Sequence, residues 1–99
     1  MALLSSFVFV HCDAFRHSQG LVRDQKGRPV TKVQVDMLDA GRFVAGDETD
    51  ERGRFSFGHT TSPFVSCKTF KLRIQKEGYE TLLVDMGCGG EFNLLLRQR

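Results

Sequence analysis

Three cysteines, three histidines and one run of four carboxylates are the side chains of this 99-residue chain best suited to chemistry. The run Asp47, Glu48, Asp50 and Glu51 offers hard oxygen ligands of the kind calcium takes. Arg52 and Arg54 stand within or beside it, and a strand would point neighbouring carboxylates to opposite faces. The expectation is therefore a solvated hairpin turn, with no metal. His11, His17 and His59 lack the paired spacing of a zinc site, and there is no Cys-x-x-Cys. Solvent-facing histidines are expected. No Gly-x-Ser-x-Gly elbow supports a nucleophilic serine.

Cys67 and Cys88 flank a hairpin signal at Lys76-Glu77-Gly78. A two-residue loop at Glu77-Gly78 would set Cys67 opposite Cys88 in a non-hydrogen-bonded pair, where Cα atoms approach to about 4.5 Å. That separation lies within disulfide range. A three-residue loop with Gly78 in the left-handed region is equally common. It would set Phe70 opposite Val84, Leu72 opposite Leu82, and Cys67 opposite Gly87. The second register buries the apolar residues better, and a bulge in Gly87-Cys88-Gly89-Gly90 would restore the cysteine pairing. Both remain open, as a disulfide or as two buried thiols.

The elements that must position these groups are strands. From Gly20 onward, strands and turns alternate at the spacing of an all-β sandwich or barrel. Leu21 to Arg23 is the first clear strand, followed by the turn Asp24-Gln25-Lys26-Gly27 and then Pro29 at a strand entrance. Val33, Val35 and Met37 alternate with Lys32, Gln34 and Asp36, which places the first three in the core and the others in water. Asp39-Ala40-Gly41 turns the chain into Phe43 to Glu48, and Asp50-Glu51-Arg52-Gly53 turns it into Arg54 to Gly58. His59 to Ser66 reads as a loop, Phe70 to Gln75 and Tyr79 to Met86 as a hairpin, and Phe92 to Leu96 as the last strand. Phe43, Phe55, Phe57, Phe64, Phe70 and Phe92 are expected in the core, and Lys32, Lys71 and Arg73 as a solvated edge. No segment sustains a helical period, and about seven strands make a two-sheet antiparallel sandwich.

These residues resemble the carboxypeptidase regulatory-like family, a small sandwich of transthyretin-like, Greek-key topology. That family occurs beside peptidases, in surface proteins and at the N-termini of outer-membrane receptors. Its D-x-x-G-x-P-V pattern corresponds to Asp24, Gly27, Pro29 and Val30, and its V-x-V strand to Val33 and Val35. Its T-D-x-x-G-x-F pattern corresponds to Thr49, Asp50, Gly53 and Phe55, and its K-x-G-Y hairpin to Lys76, Gly78 and Tyr79. The likeness spans about Gly20 to Leu96 and implies a non-catalytic module that supports or presents other parts. Hydroxyisourate hydrolases of related topology end in Tyr-Arg-Gly-Ser, whereas this chain ends Phe92 to Arg99 without it. Intradiol dioxygenases use a related sandwich with iron held by two Tyr and two His, and only Tyr79 is available here.

Residues 1–16 differ from residues 17–99, which are expected to form the domain. Ala2 to Val10 is nearly all apolar or small and Cys12 follows it, which resembles an export segment with a lipid-attachment cysteine. No Lys or Arg precedes the apolar run, and His11 stands where a small residue would be expected, so an edge strand over Phe7 to Val10 or a poorly ordered N-terminal segment competes with that reading. The net charge of +2, with 14 basic residues among 12 acidic ones, gives no footprint for nucleic acid. The combined expectation is a cell-envelope or secreted scaffold with a protein partner, no cofactor, and membrane contact only through a lipid on Cys12. A small-ligand or carbohydrate-binding module and a transthyretin-like hydrolase are the alternatives.

Overall fold

The computed structural model describes residues 14–61 and 66–99. Seven strands form two facing sheets: β1 (Ala14–Asp24), β2 (Gln34–Asp39), β3 (Arg42–Glu48), β4 (Arg54–Thr61), β5 (Phe70–Gln75), β6 (Leu82–Asp85) and β7 (Gly90–Leu96). One sheet has the order β4-β1-β7 and the other β3-β2-β5-β6. All pairings are antiparallel except β1 with β7, which is parallel. The sandwich is therefore mixed rather than wholly antiparallel.

Period-2 alternation builds the core. Phe55 and Phe57 from β4, Val22 from β1 and Leu94 and Leu96 from β7 meet Val35, Met37, Leu72 and Ile74 from the opposite sheet. Val33, Val35, Leu72 and Ile74 are wholly buried, the condition under which one lost methylene is felt. Gly20 faces inward between Phe55 and Phe92. A Cβ there would lie 2.4 Å from the Phe92 carbonyl oxygen and 2.8 Å from the Phe55 ring, so glycine is what lets the ring cross β1. The β2–β3 turn is Ala40-Gly41, both at positive φ (52° and 86°), the backbone that a two-residue hairpin requires.

Several expectations change. β1 is eleven residues long, not three, because its inward positions Ser18 and Gly20 hide the apolar alternation. It begins at Ala14, so residues 14–16 pair with β4; residues 1–13, with Phe7 to Val10, His11 and Cys12, lie outside the described residues. β4 continues through His59 to Thr61, where a loop was expected. The β5–β6 register is neither of the two considered: Leu72 faces Val84, and Ile74 faces Leu82. Tyr79 bridges Gln98, and the Glu80 N–H donates to the Arg97 carbonyl, so the C-terminal tail holds this stretch and β6 starts only at Leu82.

Phe43 is 63% exposed instead of buried, because a register shift at Met37/Leu38 turns its end of β3 outward. Phe92 is partly buried and Phe64 lies outside the described residues. Asp36 is buried, not solvated: it accepts from Gln34 Nε2 at 2.8 Å and Arg73 Nη2 at 3.1 Å. Lys71 pairs with Asp85, and β5 runs between β2 and β6, so Lys71 and Arg73 are not edge guards.

Candidate functional site

The sandwich has two ends of different character. At one end lie two turns of the same build, Asp24-Gln25-Lys26-Gly27-Arg28 and Asp50-Glu51-Arg52-Gly53-Arg54. Asp24 Oδ1 accepts from the Lys26 and Arg28 N–H groups at 2.9 and 3.0 Å. Asp50 Oδ1 accepts from the Arg52 and Arg54 N–H groups, each at 2.9 Å. Gly27 and Gly53 each take positive φ and donate their N–H to the aspartate carbonyl at 2.9 Å. These aspartates adopt the local turn that their short side chains favour. Both carboxyls are held below their ordinary value, chiefly by the backbone N–H of Arg28 and of Arg54.

Thr49 joins the turns to the core. Its Oγ1 accepts from the Val33 N–H at 2.9 Å and donates to the Val30 carbonyl at 2.7 Å. Its own N–H donates to the Val33 carbonyl at 2.9 Å, and its carbonyl accepts from the Lys32 N–H at 3.0 Å. The two aspartates of the acidic run are likewise committed to backbone: Asp47 Oδ2 accepts from the Ser56 N–H at 2.8 Å. Arg54 and Ser56 are alternate residues of edge strand β4, so Asp50 and Asp47 cap successive donors of an otherwise open edge. A groove of 560 Å³ opens beside them, but its Asp47, Asp50, Gln19 and Glu91 are already hydrogen-bonded within the chain.

The other end holds unspent polar groups. β4 carries His59 inward in the same alternation as Phe55 and Phe57, and it is only 6% exposed. Ser18, inward on β1, is 0% exposed. Among the described residues, neither Ser18 Oγ nor either ring nitrogen of His59 has a hydrogen-bond partner. Phe57 and Phe70 wall the ring, each with its centroid about 6.2 Å away. Gly89 (φ 126°) covers the pair; a Cβ there would lie 3.0 Å from Ser18 Oγ and 3.5 Å from His59 Cε1. Burial holds the His59 ring below its ordinary basicity; the Cys88 backbone opposes this and the Arg16 charge adds to it.

Cys67, in a 3₁₀ turn before β5, is bonded to Cys88 in the β6–β7 turn, with Cα atoms 5.2 Å apart. The bond arises outside the β5–β6 ladder, through Gly87, Gly89 and Gly90, all at positive φ. A crevice of 280 Å³ outside Gly89 is lined by Phe15, Arg16, His17, Cys88 and Gly90. His17 is exposed there and shares a hydrogen with Ser56 through Nε2 and Oγ at 2.9 Å. The structure thus places His17 outside and His59 inside, and does not bring them together. The buried pair escaped notice from sequence because His59 follows Phe57 by two residues and continues its alternation, a signal that a loop assignment discards.

No known family pattern matches this chain, and no curated relative matches it by sequence. Its fold is similar to solved dioxygenases. The 3-chlorocatechol 1,2-dioxygenase of Rhodococcus opacus 1CP shows 16% identity and a TM-score of 0.67, over 87% of this chain and 60% of that one. The hydroxyquinol 1,2-dioxygenase of Pseudomonas putida DLL-E4 shows 13% identity and a TM-score of 0.63, over 87% and 57%. The chlorocatechol 1,2-dioxygenase of Pseudomonas putida shows 12% and 0.61, over 87% and 60%. The chain therefore spans about 60% of the length of these enzymes. At such identity the likeness is one of β-sandwich fold. The two-Tyr, two-His iron set described above does not fit the residues present. The single tyrosine, Tyr79, and His59 lie beyond opposite ends of β5, roughly 20 Å apart by strand rise. Among the described residues, no three His, Cys, Asp or Glu side chains gather as a metal would need.

Proposed function

We propose that this chain is a non-catalytic β-sandwich module of a cell-envelope or secreted protein, a scaffold whose disulfide-tied end is presented to a protein partner. The Cys67–Cys88 bond supports this reading, because it ties the two segments that leave the strand ladder into one platform. Disulfides persist in oxidising compartments, which favours an exported location. Phe15, 70% exposed beside the crevice, is an apolar contact of the kind interfaces use. Thr49, Asp50 and Asp47 at the turn end are spent on the fold itself, which supports a structural part for that end.

The test is expression of the full gene in cells with an export route, with thiol trapping before lysis and a photo-crosslinking residue at position 15 or 95. The expected outcome is an envelope or secreted chain with Cys67 and Cys88 oxidised, and with a crosslinked protein from position 15 that position 95 does not give. A cytosolic chain with free thiols at 67 and 88, or identical crosslinks from both positions, overturns the reading.

A further inference from the structure

We infer that the disulfide-tied turn Gly87–Gly90 is a proton-sensitive latch seated on Ser18 and His59: it stays closed over a neutral ring, and protonation of His59 unseats it and with it the Cys88 half of the Cys67–Cys88 bond. The inference does not depend on which partner the module has. Its basis is geometric. His59 is 6% exposed and no side chain among the described residues bonds either nitrogen, so a charged ring would be buried with only the Cys88 backbone in its favour, which burial outweighs. Burying an unpaired charge costs far more than exposing a short turn.

Among the described residues, no carboxylate acts on the ring to stabilise the cation. From β1 the charged neighbour is Arg16, which repels it. From β4 and β5 come Phe57 and Phe70, and the cysteines of the adjoining bond do not titrate. The Cys88 backbone alone favours the charged form, and the larger effect of burial runs against it.

The lid is also lightly held ahead of Gly90, where β7 begins. Three of its residues, Gly87, Gly89 and Gly90, are glycines at positive φ. Its flanking backbone bonds, Gly89 N–H to the Met86 carbonyl and Met86 N–H to the Phe70 carbonyl, are long at 3.2 and 3.3 Å. Local opening draws on such weakly held segments first. The sign follows from the ring's depressed basicity when closed. Above the ordinary imidazole value near 6.5 the latch is at full strength, and it weakens as pH falls below that value toward the lower, closed-state one.

The experiment is reduction of the disulfide in the folded full chain by a water-soluble phosphine, which takes up the oxygen of water as two thiols form. Rates are measured from pH 7.5 to 5.5 and normalised to a small-molecule disulfide. The expected result is a severalfold rise across that range. His59→Phe should abolish the rise, while amides of Val35 and Met37 in β2 stay protected throughout. A flat wild-type profile, an equal rise in His59→Phe, or simultaneous loss of the β2 amides overturns the latch. Should His59→Phe fail to fold, His59→Gln replaces it. An NMR titration of His59 in the wild-type chain decides independently: titration near 6.5 overturns the latch, and titration well below supports it.

Discussion

The two ends of this sandwich treat buried polarity in opposite ways. At the Asp24 and Asp50 end the buried polar residue is fully paired: Thr49 uses its hydroxyl, N–H and carbonyl on Val30, Lys32 and Val33. At the disulfide end, Ser18 and His59 are equally buried and have no partner among the described residues. A buried, unsatisfied group destabilises the fold, so it persists where packing or function holds it. The contrast teaches where each kind of argument applies. The Asp24 and Asp50 turns and Thr49 account for their own end of the fold, whereas Ser18 and His59 are spent on no side-chain bond among the described residues.

The largest effect should come from cutting the staple at the unsatisfied end. Cys67→Ser with Cys88→Ser frees a loop whose ends are 21 residues apart, which should cost about 3 kcal/mol in urea unfolding. Hydrogen exchange should quicken at Gly87 to Gly90 and stay slow at Val33 and Thr49. Equal loosening of both ends would break the comparison.

The twin turns sharpen it next. Gly53 and Gly27 have nearly the same φ (75° and 83°), but a Cβ on Gly53 would lie 2.6 Å from the Val22 carbonyl oxygen while one on Gly27 meets nothing within 4 Å. Gly27→Ala should therefore cost about 1 kcal/mol for backbone conformation alone. Gly53→Ala should cost about 2–3 kcal/mol, because the clash is with backbone. Similar losses by thermal melting would show that the two turns are not differently packed.

Smaller again is the acid response of the satisfied end. Both aspartates have depressed basicity in the fold, so their contribution is complete above the ordinary value near 3.8 and fades as pH falls below it. The double variant Asp24→Asn, Asp50→Asn should lose that low-pH fall in Tm and keep the fall that begins near pH 6.5. The two acid responses belong to opposite ends and should separate cleanly.

Much of this was legible in the sequence, for physical reasons that also mark where legibility stopped. Asp-x-x-Gly turns are local chemistry, and Asp24, Gly27, Asp50 and Gly53 form the turns their types require. The alternation of Val33, Val35 and Met37 is likewise local. The β5–β6 register was not legible, because Tyr79 and Glu80 are held by Gln98 and Arg97, partners distant in sequence. β1 was hidden because Gly20 makes room for a Phe55 ring that only the fold supplies. His59 was a missed local signal, the third term of a series that Phe55 and Phe57 begin.

The most direct test of the contrast is a pair of urea unfolding curves at pH 7.5, one for Thr49→Val and one for Ser18→Ala. Both side chains are buried, at 3% and 0% exposure, and both substitutions remove one hydroxyl. Thr49→Val strands the Val33 N–H and the Val30 carbonyl and should cost about 2 kcal/mol. Ser18→Ala removes a hydroxyl that nothing uses and should change stability by less than about 0.5 kcal/mol, in either direction. Equal losses in the two variants would contradict the account, since Ser18 would then be as fully partnered as Thr49.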